Sequence, residues 1–256
     1  MGDSVGAVYS GKGELNELGQ PIGMALPDWS PASFPPHTRM EGYFCRLDPL
    51  DEEAHTRDLF DAFALDREGR NWTYLPHGPF PEYPAFEKFM AAICRQDDMQ
   101  FYAIVDRRSD KAVGVASYLR VKPKAGSIEV GHLVFSPLLQ RRPAATEAMY
   151  LMMRRAFTEL GYRRYEWKCD VLNAASRQAA MRLGFRFEGT FRQANVYKGR
   201  DRDTAWFSLL DREWQELDPA YKEWLDGVRR SPDGQQNESL SLAIKRHRGD
   251  TDLSEL

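Results

Sequence analysis

Residues 127–171 carry the tightest folding constraint in the chain. "SIEVGHLVFS" alternates as a strand does, "PLLQRRPAATEA" turns into a helix start, and "RRYEWKCDV" returns to the strand pattern. Between the two strands, apolar side chains recur at Ala145, Ala148, Met149, Met152, Ala156, Phe157 and Leu160, a helical stripe. Gly161 follows where a C-terminal cap belongs. The turn into this helix contains no glycine. A helix start nevertheless offers unpaired N–H groups and partial positive charge, which together bind phosphate. Pro143 suits the first helical position, because the N–H it lacks would have no partner there. The amides of Arg141, Arg142, Ala144, Ala145 and Thr146 are the expected donors, the two alanines are small enough for close approach, and the two arginines add charge. Taken alone, the turn fits an anion site and a plain amphipathic helix with solvated arginines.

The neighbouring segments supply the rest of a mixed layer. "GYFCRL" at 42–47 reads as a short strand, "DPLDEEAHTRDLFDAF" as a helix with acidic residues in its first turn, and "AFEKFMAAICRQ" as a second helix after the aromatic, proline-broken loop "NWTYLPHGPFP". "QFYAIVD" and "AVGVASYLRV" are strands. "AASRQAAMRL" is a helix closed by Gly184, and "FRFEGTFRQANVYKGRDRDTAWFSLLD" is two strands joined by a Lys-Gly-Arg turn. The order β-β-β-helix-β-helix-β-β describes an α+β fold on a largely antiparallel sheet flanked by helices. Residues 1–40 read as an extended arm, 41–215 as the folded domain, and 216–256 as a helix running into a mobile polar tail that holds a short helix.

Composition narrows the function classes. A net charge of −3 over 256 residues gives no bulk attraction to nucleic acid or membrane. Three separated cysteines argue for a reducing compartment, and neither they nor the five histidines show ligand spacing, so no metal is expected. No apolar run is long enough to span a bilayer and no signal-peptide layout opens the chain, which makes a cytoplasmic location the default expectation. The basic stretches "QRR" and "KRHRG" are too local to argue for nucleic-acid binding.

In combination, "IEVGHLVFSP", "QRRPAATEA", "NAASRQAAMRLGF", "FEGTFR" and "RDTAWFSLLDREW" resemble the GNAT acetyltransferase superfamily, and within it the branch of the ribosomal-protein N-terminal acetyltransferases. The resemblance spans roughly residues 40–215, and its main departure is Pro143 where the pyrophosphate loop usually has glycine. It implies two neighbouring parallel strands that splay apart to admit acetyl-CoA. The pantetheine arm would pair with the backbone of Val134 and Phe135, and the pyrophosphate would sit on Gln140, Arg141, Arg142, Ala144, Ala145 and Thr146. Arg141 or Arg142 would reach the 3′-phosphate. Asn173 and Ser176 would hold the pantetheine near the thioester sulfur; Asn173 also reads as an ordinary helix cap.

Acetyl transfer to an amine needs a neutral amine, a stabilised oxyanion and a protonated leaving thiolate. A free α-amine titrates near ~8 and is already partly neutral, whereas a lysine near ~10.4 needs more help. Glu129, working through water, is the first candidate base, with a plain strand residue as the alternative. His132 shares its strand face and is a second candidate or a packing residue. A backbone N–H near Val134 or Phe135 would meet the oxyanion, and Ser176 would relay a proton to sulfur. Trp72, Tyr74, His77 and Phe80 are expected either to line the acceptor pocket or to pack their own loop. The leading expectation is an N-acetyltransferase that joins acetyl-CoA and a primary amine in a ternary complex. The alternative is a CoA-binding regulatory or scaffold protein without turnover. The oligomeric state stays open, a dimer included.

Overall fold

The computed structural model describes residues 13–231 and 238–249. The chain divides into a unit that ends at Pro31 and a larger one that begins at Ala32. In the first, β1 (Gly13–Leu15) and β2 (Pro21–Gly23) form an exposed antiparallel pair. The Asn16 carboxamide oxygen accepts from the amides of Leu18 and Gln20 and so shapes the turn.

The larger unit is built on one eight-stranded sheet. Its strands are β3 (Met40–Glu41), β4 (Cys45–Pro49), β5 (Gln100–Asp106), β6 (Lys111–Lys122), β7 (Ser127–Phe135), β8 (Arg164–Asp170), β9 (Arg186–Tyr197) and β10 (Arg200–Leu210). They lie in the order β3-β4-β5-β6-β7-β8-β10-β9. β7 and β8 run parallel and every other neighbouring pair antiparallel. The helix between β7 and β8 makes that exception possible, because parallel neighbours need a crossover.

The helices are α1 (Glu52–Phe63), α2 (Tyr83–Cys94), α3 (Pro143–Arg154), α4 (Ala174–Arg182), α5 (Asp211–Arg230) and α6 (Leu240–Arg248). α1 starts at Asp51, whose carboxylate accepts from the Ala54 amide, with Glu52 and Glu53 in the first turn. α3 starts at Pro143 as its sequence predicts, and runs on through one wider π-type turn over Arg155–Glu159. Met149, Met152 and Met153 on α3 are fully buried and belong to the core. Burying each contributes about 1.5–3 kcal/mol. The Tyr118 hydroxyl of β6 donates to the Met152 carbonyl at 2.6 Å, which fixes α3 against the sheet. α1 and α2 cover the opposite face, where Leu59, Phe63, Phe86 and Met90 pack on Phe101, Val115 and Val134.

Two buried charges hold α3 and its continuation in place. The Glu147 carboxylate accepts from the amides of Tyr43, Phe44 and Cys45 at 2.6–2.8 Å, tying α3 to the turn before β4. Gly42 is required there, since a Cβ would stand 2.5 Å from that carboxylate. The Arg155 guanidinium donates to the carbonyls of Thr38 and Arg39 at 2.6 and 2.9 Å. Tyr102 and Gln100 bond the carbonyls of Pro36 and Pro35, so residues 35–39 lie strapped along β5. At the far end, α6 buries Leu240, Ala243 and Ile244, and the Trp224 indole donates to the Glu238 carbonyl. The expected mobile tail thus includes a packed helix at 240–248. Residues 232–237 and 250–256 lie outside the described residues, as do 1–12 of the expected arm. No helix among the described residues is long and apolar enough to cross a membrane.

Candidate active site

The ladder between β7 and β8 ends early. Val130 pairs with Trp167, and beyond that rung the two strands part. β7 stays paired to β6 as far as Phe135, and β8 stays paired to β10 as far as Asp170. The cause is a bulge in β7: Ser117 faces Gly131 and Val115 faces Val134, so three steps of β7 span two of β6. His132 lies inside the bulge with φ at +49°, a conformation sparsely adopted by residues other than glycine. The sequence gives no local signal for it.

The parted strands open onto a cleft of about 330 Å³, within the range of ligand sites. Glu129, His132, Tyr74, Asn173 and Ser176 line it, together with Asn71, Arg120, Lys168, Asp170, Tyr197 and Arg202, which sequence reasoning did not single out. Their gathering depends on sheet register and on loops far apart in sequence. The Tyr74 hydroxyl donates to the Leu172 carbonyl at 3.1 Å, and the Lys198 ammonium to the Trp72 carbonyl at 2.8 Å. The aromatic loop is therefore bridged to the loop after β8 and to the β9–β10 turn.

Glu129 is buried, and both its oxygens are engaged. Arg120 donates to one and Lys168 to the other, each at 2.6 Å. Lys168 also donates to Glu166 and lies 3.7 Å from the centre of the Trp206 ring. His132 stacks on His77 at 6.0 Å. Burial, reinforced by the charges of His77 and Arg120, pushes the His132 imidazole down to about 4, so it is neutral at pH 7. Burial lowers His77 in the same direction, helped by Lys198.

Asn173 caps α4: its Oδ1 accepts from the Ser176 amide at 3.0 Å. The Ser176 Oγ accepts from the Trp167 indole at 3.0 Å, which leaves its own proton to donate. Burial pushes the Cys169 thiol up, against a lowering pull from the Ser176 hydroxyl, so it is a protonated thiol at pH 7. The Tyr197 hydroxyl donates to Asp170, and burial with that carboxylate raises it to about 12.

At the other end of the parted strands, Val134 pairs with Val115, while the Phe135 carbonyl turns away from β6. That carbonyl accepts from Asn71 Nδ2 at 3.1 Å and from Gln140 Nε2 at 2.7 Å. The loop from Gln140 brings Arg141 into the left-handed region, φ +58°, with Arg141 and Arg142 both exposed. The Arg142 and Ala145 amides bond to Leu139 and Arg142 carbonyls, whereas those of Arg141 and Ala144 bond to no described residue. The Thr146 hydroxyl accepts from Arg182 at 3.2 Å. Trp72 is buried between Phe63, Phe80 and Phe89, and Phe80 stacks on Phe89. Phe80 packs within this ring cluster, while Tyr74 reaches the cleft wall and Trp72 and His77 line the apolar space behind His132. Among the described residues no group of His, Cys, Asp or Glu is arranged to hold a metal ion.

A largely antiparallel sheet with one parted parallel pair, followed by a helix start at which the amides of Arg141 and Ala144 meet no described partner, is the arrangement that the sequence resemblance implies for an acetyltransferase. Comparison with known proteins agrees with it. Residues 45–186 match the acetyltransferase (GNAT) domain, and the chain belongs to that family. A GCN5-related N-acetyltransferase from Brucella melitensis, solved as a crystal structure, is 43% identical with a TM-score of 0.83, covering 86% of this chain and all of that one. An uncharacterized N-acetyltransferase, YnaD, of Bacillus subtilis is 26% identical over 64% of this chain and 95% of its own length. The ribosomal-protein-serine acetyltransferase of Escherichia coli is 30% identical over 34% of this chain and 48% of its own. The protein is an acetyltransferase.

Proposed function

We propose that the protein transfers an acetyl group from acetyl-CoA to a primary amine by direct attack in a ternary complex. The observation that carries this reading is the parting of β7 and β8 after Val130 and Trp167, with the amides of Arg141 and Ala144, which bond to no described residue, at one end and the polar cleft at the other. These residues fit the co-substrate. Two free amides, the helix dipole and the exposed Arg141 and Arg142 suit a pyrophosphate and a 3′-phosphate. Ala144 and Ala145 permit close approach, with the Thr146 hydroxyl beside them. Acetyl-CoA supplies an activated thioester.

The chain's own groups do the remainder. Asn173 keeps Ser176 in place at the start of α4, and the Trp167 indole orients the serine oxygen so that its proton is available to a leaving thiolate. The Phe135 backbone, with Val134 holding it to β6, offers hydrogen bonds to an extended amide chain once Asn71 and Gln140 release the carbonyl. Glu129 accepts the amine proton through water, sharing its oxygens with Arg120 and Lys168. His132, neutral and beside the parted strands, with Tyr74 and His77, forms the acceptor wall.

The test is release of CoA thiol from acetyl-CoA, followed against a panel of amines and N-terminal peptides. Turnover on at least one amine supports the enzyme; saturable acetyl-CoA binding with no turnover on any amine supports a CoA-binding protein instead.

A further inference from the structure

Three cations line the cleft: Arg120, Lys168 and Arg202. The first two are neutralised, Arg120 by Glu129 and Lys168 by Glu129 and Glu166. Arg202 differs. It forms no ion pair with a described residue, and its Nε is buried without a hydrogen-bond acceptor among the described residues. Asp170, the cleft's other acid besides Glu129, is taken by the Tyr197 hydroxyl and the Leu172 amide. A buried guanidinium N–H left without an acceptor is costly, and a bound carboxylate relieves that cost with two parallel hydrogen bonds.

Arg202 is also held ready. Its guanidinium lies 5.5 Å from the centre of the Tyr197 ring, and that ring is anchored through its hydroxyl to Asp170. Beside it, Asn195 donates to the Thr204 hydroxyl at 3.4 Å. Thr204 stands opposite Asp170 and Trp206 opposite Lys168 in the β8–β10 ladder. Arg202, two residues before Thr204, shares that face. The charge of Arg202 is felt at His132 and at Cys169, one on each parted strand. Apolar walls come from Leu75, Leu133 and Trp167.

Resting on the acetyltransferase reading, we infer that the acceptor is a primary amine that also carries a carboxylate, and that Arg202 is the residue that reads it. The carboxylate docks on the Arg202 guanidinium while the amine reaches the parted strands near Glu129. Polycationic acceptors are disfavoured, because they would bring further positive charge to Arg202. The carboxylate belongs either to the α-carboxyl of a free amino acid or to an acidic side chain next to a peptide N-terminus.

The experiment measures kcat/KM for matched acceptors: free amino acids against their carboxamides, and N-terminal peptides with Asp or Glu against the same peptides with Asn or Gln. The first pairing isolates an amino acid, the second a peptide. In the native protein the carboxylate member of one pairing is expected to be favoured about tenfold to hundredfold. In R202Q that ratio falls to near one, and in R202K it is intermediate, with acetyl-CoA still raising the Tm of both variants. Equal or better use of carboxamide, neutral or polycationic amines by the native protein overturns the carboxylate assignment and leaves the acetyltransferase standing. So does an absence of turnover on every carboxylate-bearing amine by protein that binds acetyl-CoA. A native preference that persists in R202Q overturns the role of Arg202. Failure to bind acetyl-CoA at all removes the underlying reading.

Discussion

Asn71 and Gln140 meet over the Phe135 carbonyl. The Gln140 amide donates to Asn71 Oδ1 at 2.9 Å, and both side chains donate to the same oxygen, which lies at the edge of the strand that parts from β8. One belongs to the aromatic loop before α2, the other to the loop that opens α3. The pair therefore joins the aromatic loop to the loop that opens α3.

If an extended amide chain takes the Phe135 carbonyl, it must displace those donors. N71A is then expected to tighten acetyl-CoA binding about threefold to tenfold, as one competing hydrogen bond is removed. Isothermal titration of the variant checks this. Weaker binding would show that Asn71 builds the groove and does not guard it.

Pro143 removes one amide from the helix start, but the amides of Arg141 and Ala144 bond to no described residue. P143G is expected to change the acetyl-CoA Kd by about threefold or less and to lower stability by about 0.4–1 kcal/mol through the freer unfolded chain. Titration and denaturant melts separate the two effects. A gain of tenfold or more in affinity would mean that the missing amide limits binding.

Much of this was legible in sequence because it is local. The Pro143 helix start, the Gly161 and Gly184 endings and the Lys198–Gly199 turn each follow from neighbouring residues. Asn173 was legible as a cap for the same reason. Arg120, Lys168 and Arg202 were not. They reach the cleft through strand register, and no short window shows that β8 and β10 are neighbours. The bulge at His132 has no glycine to announce it at that position, and Glu147 looks like any helical glutamate until its three amide partners, more than 100 residues away in sequence, are in place.

That carboxylate predicts a large effect on stability. E147A leaves three amides without their acceptor, that of Cys45 buried and those of Tyr43 and Phe44 partly so, and is expected to cost about 2–4 kcal/mol, lowering Tm by roughly 5–15 °C. E147Q should lose less, keeping one oxygen. Thermal melts of both variants decide; a shift below about 2 °C in E147A would contradict the role.

His132 predicts an acid-sensitive fold. Its imidazole is lowered to about 4 in the folded protein and titrates near ~6.5 when unfolded, so the unfolded chain binds more protons between those values. Its neutral form is fully compatible with folding above pH ~6.5, and stability is lost as pH falls from there to about 4, by roughly 3 kcal/mol at most. In H132F that part of the acid slope should vanish. Denaturant melts of both proteins at pH 7.5, 6 and 4.5 measure it; parallel slopes would show that other groups carry the effect.

In the proposed mechanism Glu129 takes the amine proton and Ser176 gives one to the leaving thiolate, and neither holds the co-substrate's phosphates. E129Q and S176A are each expected to lower kcat about a hundredfold while leaving the acetyl-CoA Kd within about threefold. Full activity in both variants would contradict these roles without touching the family.

The central claim is that the parted strands and the α3 start bind acetyl-CoA, and one measurement reaches it directly. Acetyl-CoA is titrated into the native protein and into A145L, with circular dichroism showing that the variant is folded. Saturable binding by the native protein that is lost when Ala145 becomes leucine is the predicted result. No binding by the native protein, or equal binding by the folded variant, would contradict it.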